Sequence, residues 1–156
     1  MFYKRDILYG LKLHLLGFRR IGKLPHHEQI LFTPALVNDL TVFREAWSGF
    51  ENRTFWGDKI YFVNELNENM LKYQNSEILT PIKAVKGMEE VIKQRIKAAN
   101  DLFSIGVSRV RQPIEAIFNW LIQKTDIKRA NKVSSTKGLM IHAFGRLATA
   151  FITLTI

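Results

Sequence analysis

The chain has 156 residues, enough for one domain with a sizeable core, and 47% of them are apolar, which excludes a disordered chain. It has no cysteine, so disulfides and thiolate metal sites are excluded. Lys and Arg number 23 against 14 Asp and Glu, a formal charge of +9, which favours a polyanionic partner, nucleic acid before an anionic membrane surface.

The first residues, Met1-Phe2-Tyr3-Lys4-Arg5-Asp6, are charged and lack the apolar centre of a signal peptide. Residues 7–17 alternate for most of their length and predict one strand. Tyr9, Leu11, Leu13 and Leu15 share one face; Lys12 and His14 share the other. Residues 18–28, with Gly22 and Pro25, read as a loop, and residues 29–33 as a short second strand stopped by Pro34. Asn38-Asp39 offers a helix N-cap, followed by Leu40, Phe43 and Trp47 at helical spacing. Thr54-Phe55-Trp56 predicts a strand, and residues 59–73 a helix weakened by Asn64, Asn67 and Asn69. Residues 77–85 are strand-like, with Pro81 pointing to an edge.

From Gly87 the pattern turns helical. Met88, Val91, Ile92, Ile96 and Ala99 mark one apolar face, and Ile114, Ile117, Phe118 and Leu121 the next. Leu139, Ala143, Leu147 and Ala150 belong to a last helix. His142 and Arg146 interrupt its apolar run, so it predicts a buried or amphipathic helix rather than a membrane span. There is no internal repeat and no obvious linker, so residues 1–156 are expected to form a single domain, α/β in class.

Two carboxylates stand out. Asp58 ends an apolar run in Phe55-Trp56-Gly57-Asp58-Lys59-Ile60-Tyr61, and Glu115 heads an apolar helical stripe in Arg111-Gln112-Pro113-Ile114-Glu115. An aspartate at a strand end with a later glutamate on a helix can supply the hard oxygens that magnesium requires. Each also has an ordinary reading. Asp58 can cap the helix after it. If Pro113 is the first helical residue, Glu115 sits favourably in the first turn; if the helix starts earlier, Arg111 and Glu115 are i,i+4 partners. Lys12, Arg109, Arg111, Lys124, Lys128, Arg129, Lys132 and Lys137 are candidate phosphate contacts, against the reading of a solvated basic face. Trp47, Trp56 and Trp120 are assigned to core or interface.

Four motifs occur in order: Tyr9-Gly10-Leu11-Lys12-Leu13-His14; Ala35-Leu36-Val37-Asn38-Asp39; Gly57-Asp58-Lys59-Ile60-Tyr61; and Arg111-Gln112-Pro113-Ile114-Glu115-Ala116-Ile117-Phe118. Together they resemble bacterial insertion-sequence transposases of the DDE class, over nearly all of the chain. The resemblance implies a ribonuclease-H-like mixed sheet flanked by helices. It also implies magnesium (or manganese) held by three carboxylates, and DNA, both transposon ends and target, as substrate. Asp58 matches the family's second catalytic aspartate, Glu115 its catalytic glutamate, and Arg111 the arginine four positions before it. Ser108 stands where many relatives have a tyrosine, and Ile122 where they have a lysine, with Lys124 nearby. The family's first aspartate lies on a strand before the Tyr9–His14 motif. The only acid there is Asp6, so the expectation is a truncated core without its first strand.

Such a core would leave residues 9–16 and Thr54–Trp56 as the two inner edges of one damaged sheet, and finding them in separate sheets would sink this expectation. Two functions follow from the resemblance. One is a DNA transposase, acting as a homo-oligomer or mixed with a full-length copy, in the cytoplasm near the nucleoid and not in a membrane. The other is a non-catalytic DNA-binding or subunit-mixing fragment that interferes with the intact enzyme.

Overall fold

A computed structural model describes residues 5–8, 10–82, 87, 89–129 and 133–155. Strand β1 (Arg5–Leu8) pairs antiparallel with β2 (Leu11–Phe18), and β2 with β3 (His26–Pro34). The single strand expected over residues 7–17 is therefore a hairpin. Gly10 takes φ +89°, open to glycine and strained for other residues, and this reverses the chain between Leu8 and Leu11. Asp6 belongs to the short first strand, opposite Leu13, and not to the start of the second. The β3 strand begins earlier than the sequence pattern indicates, because His26 and His27 continue the ladder past an irregularity at Leu16/Gly17.

Helix α1 (Asp39–Val42) follows, with the Asn38 side chain accepting from the Leu40 amide as its cap. It runs on as a wider π turn through Phe43–Trp47, closed by Ser48 N–H donating to the Phe43 carbonyl. Strands β4 (Thr54–Trp56) and β5 (Glu77–Leu79) pair in parallel, joined by a 3-10 turn (Lys59–Tyr61) and helix α2 (Asn64–Gln74). The one helix expected over residues 59–73 is thus broken. Phe62 is extended at φ −73°, ψ 90°, and interrupts the helical hydrogen bonding. The strand expected over 77–85 is ordered as β5 only to Leu79; residues 83–85 lie outside the described set.

Helix α3 (Glu90–Thr125) is continuous over 36 residues, with Pro113 inside it, and α4 (Thr136–Thr155) packs against its C-terminal part. Of the two readings of Pro113, the earlier start holds. Residues 90–106 of α3 bury no side chain; burial begins at Val107. The apolar face expected for Val91, Ile92 and Ile96 is accordingly exposed.

Strand β2 explains the layering. Leu13 and Leu15 pack on Ile114, Ile117, Phe118 and Leu121 of α3 and Leu147, Ala150 and Phe151 of α4. Leu16 packs on the other side with Phe43, Trp47, Phe55, Tyr61, Met70 and Ile78. A strand covered on both sides buries both of its alternating sets of side chains. Lys12 and His14, on the face opposite the apolar set, are buried for that reason.

The class is mixed α/β, as expected. The single damaged sheet is not found. Among the described residues the ladders form a three-stranded antiparallel sheet, β1-β2-β3, and a two-stranded parallel one, β4-β5, with no ladder joining β2 to β4. No strand supplies backbone N–H and C=O groups between them there. Among the described residues, no helix is long and apolar enough to cross a membrane.

Candidate functional site

Asp58 follows β4 after one residue, Gly57, whose N–H donates to the Leu79 carbonyl. A Cβ at Gly57 would lie 2.9 Å from Cδ2 of the buried Tyr61 ring. Glycine is needed there so that the turn can fold over its own tyrosine. The turn in turn fixes Asp58: one carboxylate oxygen, Oδ1, accepts from the Lys59 amide at 2.7 Å. This is the capping role read from sequence, and it leaves Oδ2 free to face α3.

What it meets there is Arg111. The Arg111 Nη1 atom lies 3.6 Å from Asp58 Oδ2, and Nη2 lies 3.4 Å from Glu115 Oε1, one helical turn along. Ile114, Ile117 and Phe118 anchor this stretch of α3 in the core, which turns Arg111 and Glu115 toward the end of β4. Two carboxylates 57 positions apart in sequence therefore converge on one guanidinium. Arg111 is only 21% exposed, and its Nε is buried without a partner among the described residues. Asp58 and Glu115 are 59% and 45% exposed, so each ion pair is screened and weak in isolation.

The pair opens into a cleft of about 700 Å³ that also takes in Lys59, Asp101, Ser108 and Arg109. Its far wall is tied by the Ile82 amide, which donates to Ser104 Oγ at 3.1 Å. Three acids and three bases line the cleft among the described residues, so it carries no strong field of either sign. Asp101 does not complete a three-carboxylate set with the others. It precedes Glu115 by 14 helical residues, about 21 Å at about 1.5 Å per residue, whereas two-metal sites hold their ions about 3.5–4 Å apart. No group of three or more His, Cys, Asp or Glu residues able to hold a metal occurs among the described residues. The described donor set does not fit a two-magnesium centre, and the guanidinium holds the position between the carboxylates.

Of the other predicted contacts, Arg109 shares this cleft. Lys12 does not. Its side chain is 4% exposed, donates to the Val37 carbonyl and lies 3.2 Å from Asp39 Oδ1. His14, beside it, shares a 2.7 Å hydrogen bond with Thr33 Oγ1 and has Nδ1 3.9 Å from the same Asp39 oxygen. Lys12 thus satisfies a buried carboxylate, and a DNA contact there would require breaking that pair. Of the Asn38-Asp39 pair that offers a cap in sequence, Asn38 does the capping. Lys124 lies exposed on a different groove, Lys128 is exposed, and Arg129 is 3.4 Å from Asp126. Lys132 lies outside the described residues.

Comparison with protein-family models, with curated proteins and with solved structures finds no match in any of the three.

Proposed function

We infer that the chain derives from the catalytic core of a DDE-class DNA transposase. One observation supports this reading above the rest: Asp58 at the end of β4 and Glu115 on α3, chosen from sequence as the two family carboxylates, meet at one point through Arg111. The finer fold, ribonuclease-H-like, belongs to the same proposal. A parallel strand pair followed by a long helix supports it; its single-sheet form fails, because β2 and β4 lie in separate sheets among the described residues.

A second reading rests on the same site. With two carboxylates sharing one arginine and no group of three able to hold a metal among the described residues, the chain itself acts as a DNA-binding or subunit-mixing fragment. Asp58 and Glu115 then keep the geometry of a site without its chemistry, and no catalytic step is assigned to them.

Strand nicking of a DNA substrate with magnesium or manganese separates the two. The isolated chain is expected to be inactive, since losing a metal ligand costs roughly a thousandfold or more in rate. A longer version carrying a preceding strand with a central aspartate is expected to nick DNA and to lose activity with Asp58→Ala or Glu115→Ala. Activity of the longer version that survives both substitutions would end the transposase reading. Activity of the chain alone that requires both would end the fragment reading.

A further inference from the structure

A second groove lies between the C-terminal end of α3 and one face of α4, closed at one end by the β2–β3 connection. Three parts of the chain each bring a cation to it. The connection brings Arg20 and Lys23, α3 brings Lys124 and α4 brings Arg146. Two hollows share Lys124, Thr125 and Thr149, so the groove is continuous along α4. No Asp or Glu lines it among the described residues. That is the opposite of the Asp58–Glu115 cleft, where acids and bases balance.

The cations are placed rather than scattered. Arg20 Nε donates to the Leu24 carbonyl at 2.8 Å, which bends the connection over the groove. Arg146 Nη1 donates to the Thr125 carbonyl at 2.8 Å, a free acceptor at the end of α3, and so bridges the two helices. Lys23 and Lys124 are exposed and form no ion pair among the described residues. His142 lies in the same groove with its Nε2 buried and unpartnered among the described residues. From His142 to Thr153 the floor runs about 16 Å at about 1.5 Å per helical residue. One DNA strand carries a phosphate about every 3.4 Å of axis, so the groove spans about five of them.

We propose that this groove, and not the Asp58–Glu115 cleft, is where the chain grips the phosphate backbone of duplex DNA. The proposal rests on the DNA-binding reading above and locates its main electrostatic contact. A row of unopposed cations gains affinity by releasing counterions from DNA, while a neutral cleft does not. The groove therefore positions DNA.

The test is fluorescence anisotropy of duplex DNA across a salt series, with two double variants that lower the net charge equally. Lys23→Gln/Lys124→Gln removes two groove cations. Lys72→Gln/Lys97→Gln removes two exposed lysines from α2 and the exposed part of α3. All four side chains are exposed, and circular dichroism checks that both variants fold. The groove variant is expected to flatten the slope of log K against log salt by about 1.8, at about 0.9 per lost phosphate contact, and the other to leave it unchanged. Equal flattening in both variants, or none in either, would overturn the groove. Wild-type chain that fails to bind DNA at low salt would overturn the groove and the DNA-binding reading together. Groove substitutions that abolish binding to phosphatidylserine vesicles while leaving DNA binding intact would assign the cations to a membrane surface and overturn the proposal. The nicking assay reads Asp58 and Glu115 and does not involve these lysines, so failure of the groove leaves the transposase reading to be decided on its own.

Discussion

At the scale of single residues, Gly57 and Lys12 show how much of this chain's motif content is packing. Gly57 is the residue that lets Tyr61 lie under the turn that presents Asp58. Tyr61 is itself packed against Phe43 in the core and has nowhere to retreat. Gly57→Ala is expected to destabilise the fold by about 1–3 kcal/mol through overpacking, read as a lower urea midpoint. An unchanged midpoint would show that the tyrosine can give way. Lys12 is the sharper case, because two roles predict different outcomes. Lys12→Met leaves the Asp39 carboxylate buried without its ammonium, which is expected to cost about 3–5 kcal/mol with little change in the DNA affinity of the folded fraction. Lost DNA binding at full stability would restore Lys12 as a phosphate contact.

The elements reveal a different kind of compromise. Helix α3 carries Pro113 in its interior, where the ring removes one N–H and crowds the carbonyl of Arg109. The helix persists because the residues just beyond, Ile114, Ile117, Phe118 and Leu121, are held in the core. Tertiary packing of that face outweighs a local penalty of about 3 kcal/mol. Pro113→Ala is expected to raise stability by about 1–3 kcal/mol, measured by urea unfolding, and a loss would mean that the proline shapes the helix for its partners. Continuity of α3 also sets the site. Arg111 and Glu115 are one turn apart on an unbroken helix, so both reach the end of β4. Had the helix begun at Pro113, Arg111 would lie in a loop and the convergence would be lost.

For the molecule as a whole, pH enters through the end of β3. The His27 ring stacks on Phe151 of α4, with centroids 3.9 Å apart, and on His26 at 5.0 Å. Burial, and then the charge of His26, hold its pKa below the ordinary 6.5. The folded state therefore takes up this proton less readily than the unfolded chain. Stability is full above about 6.5 and falls as pH drops through that value toward the lowered folded one. Unfolding midpoints measured from pH 7.5 to 5 are expected to decline, and His27→Gln to flatten that decline. A midpoint flat in the wild type would place the proton elsewhere.

Composition and motif order alone determined the α/β class, the apolar identity of the core, the pairing of Asp58 with Glu115 as candidates, and a charge suited to DNA. These were legible because they depend on residue type and local spacing. Even so, local spacing misled where the chain reverses or is covered twice. Alternation through residues 7–17 looks like one strand whether or not Gly10 turns, and Lys12 looks open to a phosphate until a second layer buries it. Only the tertiary structure turned Lys12 inward to Asp39, set Arg111 between two distant carboxylates, and gathered Arg20, Lys23, Lys124 and Arg146 along one groove. The reason is physical. Those relations join residues far apart in sequence, and their distances are fixed by which faces of β2, α3 and α4 bury their apolar side chains together.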